Sequence, residues 1–199
     1  MLKKLLLISV FLFIVLIGFR LTVFDKGFYF KQYEQNKVNY PHAELSENTD
    51  NLLDYLNGGH DLAGAFFSEK EKIHLRDVKA IITKLILLFY ASSALSMSII
   101  AYCIYKKEPF HLPIKYSALS AISFFLILFV LLVSNFEGLF LNFHLISFSN
   151  DLWQLNPQTD NLINMFPQQF FYNAAIRISV ISITMAVILL LMSLIMAEK

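Results

Sequence analysis

Cysteine is nearly absent from this chain. Its 199 residues include one, Cys103, so no intrachain disulfide and no CxxC metal or redox site can form. Cys103 lies within an apolar run and reads as inert packing, not as a nucleophile. Charge is sparse as well. Asp, Glu, Lys and Arg together make 16% of the residues, where a soluble domain carries about a quarter. A net charge of +1 suggests no nucleic-acid partner. No GxSxG, HExxH or P-loop pattern occurs, so the common signatures of serine hydrolases, zinc proteases and nucleotide enzymes are missing. No internal repeat or low-complexity tract is visible.

What the chain has in plenty is apolar length. It is 57% hydrophobic, with a mean hydropathy of +0.58. Leu5 to Phe24 contains one charge, Arg20; Ala80 to Tyr105 contains one, Lys84; Ser117 to Phe136 contains none; Ala174 to Ala197 contains one, Arg177. Each run can cross a hydrocarbon core of about 30 Å, which takes about 20 helical residues. The expected fold is an all-α integral membrane protein, one membrane domain with spans at 5–24, 80–105, 117–136 and 174–197. Lys3 and Lys4 precede the first run as they would in a signal peptide. Its apolar stretch exceeds the usual length of about 7–15 residues and no small-x-small site follows, so it reads as a retained helix.

Orientation follows from lysine and arginine in short loops. Lys3 and Lys4 mark the N-terminus, and the loop 106–116 carries Lys106, Lys107 and Lys115, whereas loop 137–173 carries no basic residue. Both termini and loop 106–116 are therefore expected in the cytoplasm, with loops 25–79 and 137–173 outward. Loop 25–79 has seven basic residues but also ten acidic ones, and it is long enough to weigh little in the rule. Arg20, Lys84 and Arg177 then fall near the outer boundary, where snorkelling explains them and contact with a polar or anionic headgroup is the alternative.

Together the two outward loops can build a small extracytoplasmic cap, and neither is rich enough in Gly and Ser to be a linker. Aromatic and charged residues partly alternate in FDKGFYFKQYEQNKVNY (24–40), which suits an extended segment. Tyr40-Pro41-His42 marks a turn. NTDNLLDYLNGG reads as a short helix capped by Asn48 or Thr49 and ended by Gly58 and Gly59. Ser68 with Glu71 forms a capping-box pattern, and no Pro or Gly follows until Pro109, so this helix should run on into the second span. His74 and Asp77 share a face of it, and His74 stands roughly 9 Å before Ala80, at headgroup depth. In the second loop Phe140, His144 and Phe148 lie four apart and form one stripe if helical. Asp160 can cap DNLINMF, and Pro167 can occupy the first turn of the last helix. Trp153, the only tryptophan, and Phe170-Phe171-Tyr172 suit an interfacial aromatic belt.

Of five histidines, His111 belongs to the cytoplasmic loop and His60 to a glycine turn. His42, His74 and His144 lie on the outer side, the last two at the membrane surface. A lone histidine is more often structural than catalytic. Two from separate loops at one depth make a candidate proton-transfer pair near neutral pH. A zinc site from His42, His74, His144 and a carboxylate is conceivable but lacks short ligand spacing. Ser147 or Ser149 as nucleophile is weaker than a local hydrogen-bonding role.

The segments YPH (40–42), LLDYL (52–56), HLRDVK (74–79), NFHLISFSNDLWQLNP (142–157) and DNLINMFP (160–167) resemble the lipoprotein intramolecular transacylase family, Lit, over the full length; the stretch around His144 is the most specific. The resemblance implies a small bacterial enzyme of the cytoplasmic membrane. It would move the sn-2 acyl chain of a lipoprotein's S-diacylglyceryl group to the α-amino group of its N-terminal cysteine, giving the lyso-form lipoprotein. His74 and His144 are then the expected catalytic pair, without an acyl-enzyme. Tyr40, His42, Asp77, Asn142, Asn150, Trp153, Arg20 and Arg177 are candidates for substrate or oxyanion contacts. No cofactor or metal is expected, the partners are the lipoprotein substrate and membrane phospholipid, and the enzyme is expected to be a monomer. The alternatives are a metal-dependent membrane hydrolase or protease and a non-enzymatic subunit of a membrane complex.

Overall fold

A computed structural model describes residues 1–62 and 64–198. Among these the chain forms seven helices and no strand: α1 Leu2–Val23, α2 Lys26–Gln35, α3 His42–Leu56, α4 Glu69–Lys106, α5 His111–Ser147, α6 Asn161–Met165 and α7 Gln168–Ala197. Four of them, α1, α4, α5 and α7, are long and apolar enough to cross a membrane. The helices divide between two compact units. One takes Met1–Val23, Leu85–Val133 and the chain from Ala175 onward; the other takes Phe24–Lys84 and Ser134–Ala174.

The first unit is a helix bundle held by small and branched side chains. Leu6, Val10, Ile14, Ile99, Cys103, Ala118, Ala121 and Ala186 are buried together. Cys103 is among these buried side chains. Hydroxyl groups tie the helices to each other: Ser96 donates to Ser9 Oγ at 2.8 Å, and Ser117 reaches the Leu7 carbonyl at 2.8 Å. Gly18 lets α1 approach α7, because a Cβ there would collide with the Ile178 carbonyl and lie 2.6 Å from Ser182 Oγ.

The second unit departs from the sequence expectation in three places. Residues 26–35 are helical, not extended. Asp25 caps α2 by accepting from the Gly27 and Phe28 N–H groups, at 2.9 and 3.3 Å. The buried set Phe28, Tyr29, Gln32 and Tyr33 has helical spacing. Aromatics alternating with charges obscured that stripe. Helix α3 starts at His42 behind Pro41, earlier than expected, so Asn48 and Thr49 are buried mid-helix residues and not caps. Thr49 hydrogen-bonds the Tyr33 hydroxyl at 2.9 Å, fastening α3 to α2. Finally, Asp160 precedes α6 but gives it no side-chain cap; its Oδ2 accepts from the Asn156 N–H at 2.7 Å. Pro167 stands just before α7, its carbonyl accepting from the Phe170 N–H at 2.8 Å.

The capping box at α4 forms as expected. Glu71 Oε2 accepts from the Ser68 N–H at 2.6 Å, and Ser68 Oγ from the Glu71 N–H at 3.3 Å. Helix α4 then runs unbroken from Glu69 to Lys106. Helix α5 carries the Phe140–His144 stripe but is interrupted at Asn135, whose φ of −161° and ψ of 71° are not helical.

Candidate active site

One face of the first turns of α4 organises the site. Lys70, His74 and Asp77 repeat at helical spacing with Glu71 beside them, and all four hold the chain between Phe148 and Leu162. Lys70 Nζ donates to the Gln154 carbonyl at 2.5 Å and lies 3.8 Å from the Asp160 carboxylate. Glu71 is 1% exposed, and its second oxygen accepts from the Leu162 N–H at 2.5 Å. Asp77 Oδ2 accepts from Asn150 Nδ2 at 2.9 Å. Between these anchors His74, buried, packs edge-on against Phe148 with ring centroids 4.9 Å apart.

His144 arrives from α5. The stripe of period four is real: the Phe140, His144 and Phe148 rings follow each other at 4.5 and 5.6 Å. The imidazoles of His74 and His144 lie nearly parallel, at 27°, with centroids 6.3 Å apart. Trp153 closes over His144 at 5.0 Å. Two histidines 70 positions apart in sequence thus share one aromatic niche. The two rings are close enough to act on one small reacting group.

The hydrogen bonds decide part of the proton inventory. His144 Nδ1 lies 2.7 Å from the Phe140 carbonyl oxygen. A carbonyl can only accept, so Nδ1 carries the hydrogen. In the neutral ring Nε2 is then the bare nitrogen, able to take a proton. His74 differs. Its Nδ1 is buried without a hydrogen-bond partner in the protein. Its pKa is lowered to about 4, chiefly by burial, then by His144, with Lys70 adding in the same direction and Asp77 opposing. His74 is therefore neutral at pH 7.

The other predicted residues fall into four groups. Asp77, Asn150 and Trp153 belong to the histidine niche. Tyr40 is one step removed: its hydroxyl donates to Asn161 Oδ1 at 2.8 Å, and Asn161 donates to the Phe66 carbonyl at 2.6 Å, next to the Leu162 N–H that Glu71 holds. His42 is exposed and rests on the Phe30 ring at 5.1 Å. Asn142 is exposed, its amide donating to the Gly138 carbonyl at 2.8 Å. Arg20 and Arg177 lie half-buried on α1 and α7, in the first unit. Among the described residues no group of three or more His, Cys, Asp or Glu side chains is arranged to hold a metal ion. Sequence reasoning missed Lys70 and Asn161, and it saw Glu71 only as a cap.

The family profile described as "Lipoprotein intramolecular transacylase Lit" matches residues 4–171. The chain belongs to the Lit family. It is accordingly an acyltransferase of lipoprotein modification, integral to the membrane. A solved structure of the membrane integral lipoprotein intramolecular transacylase Lit from Bacillus cereus matches with a TM-score of 0.91 at 25% identity, covering all of this chain and 95% of that one. Two further structures of the Bacillus cereus enzyme, with one histidine replaced by arginine or by alanine, share the fold at TM-score 0.83 and 24% identity, covering all of this chain and 91% and 93% of theirs. No match was found among curated proteins.

Proposed function

We propose that this Lit protein transfers the sn-2 acyl chain of a lipoprotein's S-diacylglyceryl group directly to the α-amine of the same N-terminal cysteine, with His144 as general base and His74 as electrophile. The observation that carries the proposal is the pair of imidazoles 6.3 Å apart with the Nδ1 hydrogen of His144 committed to Phe140.

The chemistry needs three things. The amine, with a pKa of about 8, must attack as its neutral form. The tetrahedral oxyanion needs a donor. The departing glycerol oxygen needs a proton. His144 Nε2 takes the proton released by the attacking nitrogen and returns it to the sn-2 oxygen as the ester C–O bond breaks, so the ring ends as it began. His74, neutral at pH 7, can donate from Nδ1 to the carbonyl oxygen in the tautomer that carries hydrogen there. Neither step needs an acyl-enzyme, a metal or ATP, since an ester becomes a more stable amide. Binding amine and ester within one substrate supplies much of the rate through proximity.

Around this pair, Asp77 and Asn150 hold the loop that carries Trp153, and Trp153 with Phe143 and Phe148 faces the acyl chain. Tyr40, His42 and Asn142 are further candidates for polar contact with the substrate, and Arg20 and Arg177 for its headgroup or surrounding phospholipid. The low basic content of 137–173 supports an outward-facing site with both termini in the cytoplasm of a bacterial cell. The enzyme works as a monomer without cofactor.

Mass spectrometry of a lipoprotein N-terminus in cells carrying His74→Ala or His144→Ala tests the assignment. Each change is expected to cut lyso-form conversion by at least about a hundredfold, the usual scale for a lost acid–base group. Conversion by both variants at the parental level would sink it.

A further inference from the structure

We infer that Asn135 is a positioning residue for the acyl transfer. It caps the helix that carries His144, and its amide lies over the Cβ-free position of Gly138. The inference depends on His144 being the base, as proposed above.

Helix α5 is two helices in sequence. At Asn135 the backbone leaves the helical region, and residues 136–147 then form a helix of their own. A non-helical residue just before a helix, whose side-chain oxygen accepts from the N–H three places on, is an N-cap. Asn135 meets both conditions: Gly138 donates its N–H to Asn135 Oδ1 at 2.9 Å. Glu137, inside the first turn, puts a carboxylate at the positive end of that helix.

The cap also lies close against the residue it holds. A Cβ at Gly138 would stand 2.5 Å from Asn135 Nδ2, 2.9 Å from Cγ and 3.0 Å from Oδ1. The atoms met all belong to the cap's own side chain, so a methyl group at 138 would be accommodated by displacing the Asn135 amide, and with it the cap. Asn142 adds a third contact by donating to the Gly138 carbonyl at 2.8 Å.

The cap's effect on His144 follows from helix geometry. His144 lies nine residues beyond Asn135, two and a half turns or about 13 Å along the axis. Phe136, Phe140 and His144 share one stripe; Phe136 stacks on Phe140 at 5.7 Å, and Phe140 meets His144 at 4.5 Å. Starting the helix one residue early or late turns every later side chain by about 100°. His144 would then swing off the face that holds His74, Phe148 and Trp153. The cap sets the phase, and the short helix transmits it to the imidazole.

The test is steady-state kinetics of lyso-form production from a diacylglyceryl lipopeptide in liposomes, alongside thermal unfolding. Asn135→Leu removes the acceptor and is expected to lower kcat at least tenfold while KM stays within about twofold. Asn135→Asp keeps an oxygen in place and is expected to recover kcat to within about threefold of the parent. Gly138→Ala should lower kcat also. Asn135→Ser together with Gly138→Ala should lose less than Gly138→Ala alone, because the serine side chain still caps but has no amide to collide with. Three results overturn the role: kcat of Asn135→Leu within twofold of the parent, a loss accounted for by the unfolded fraction alone, or no relief of Gly138→Ala by serine. His144→Ala is run in parallel. If it is active, both assignments fail; if it is inactive while Asn135→Leu is unimpaired, only the role of Asn135 fails.

Discussion

At the scale of single residues, burial of His74 couples folding to pH. Its pKa is lowered from 6.5 to about 4. Below pH 6.5 the unfolded chain takes up a proton at this position that the folded chain refuses. Stability is therefore intact above about pH 6.5 and declines as pH falls toward 4. The loss amounts to about 2 kcal/mol by pH 5, and roughly 3 kcal/mol once both states are protonated. Thermal unfolding of the parent should drop by several degrees between pH 7 and pH 5, whereas His74→Gln should show a flatter profile. An equally steep decline in His74→Gln would assign the titration to another group.

Glu71 makes a second case at this scale. Its buried carboxylate satisfies two backbone N–H groups, of Ser68 and Leu162. Glu71→Ala leaves the buried Leu162 N–H unpaired, while the N–H of exposed Ser68 can turn to water, and is expected to cost about 1–3 kcal/mol, the range for one unsatisfied buried group. Chemical denaturation in detergent measures it, and a change under about 0.5 kcal/mol would show that water replaces the carboxylate.

At the scale of elements, what the sequence discloses depends on how local the cause is. The start of α4 was legible because its capping box spans four residues, Ser68 to Glu71. The Phe140–His144–Phe148 stripe was legible because a spacing of four has one simple helical meaning. Helix α2 was not, since its aromatics serve the core of the second unit while its charges serve the surface, and the two sets nearly alternate. The meeting of His74 with His144 could be guessed only as a shared depth; their contact is made by bonds from Lys70, Glu71 and Asp77 to a segment 73 to 91 positions away. Such bonds leave no periodic trace. Gly18 is the corresponding case within the bundle. A methyl group there meets the Ile178 carbonyl, so Gly18→Ala is expected to destabilise the protein by about 1–3 kcal/mol, the range for overpacking a tight contact. An unchanged unfolding midpoint would show that α1 and α7 separate at no cost.

At the scale of the whole molecule, four apolar helices and the scarcity of charge make the bilayer the solvent for much of this chain, and the distribution of lysine predicts which end faces out. In a Cys103→Ala background, cysteines introduced at Glu108 and Gln158 should separate cleanly. An impermeant thiol reagent added to intact cells is expected to label position 158 and spare 108. The reverse pattern would put the histidine niche on the cytoplasmic side, away from mature lipoproteins.

The proposed chemistry uses two imidazoles as one device: His144 moves the proton and His74 stabilises the oxyanion. Single-turnover rates of O-to-N acyl transfer on a diacylglyceryl lipopeptide, for His74→Ala, His144→Ala and the double variant, test that claim most directly. Groups acting as a unit are predicted to lose at least about a hundredfold singly and little more together. A single variant retaining a third or more of the parental rate, or losses that multiply in the double variant, would contradict it.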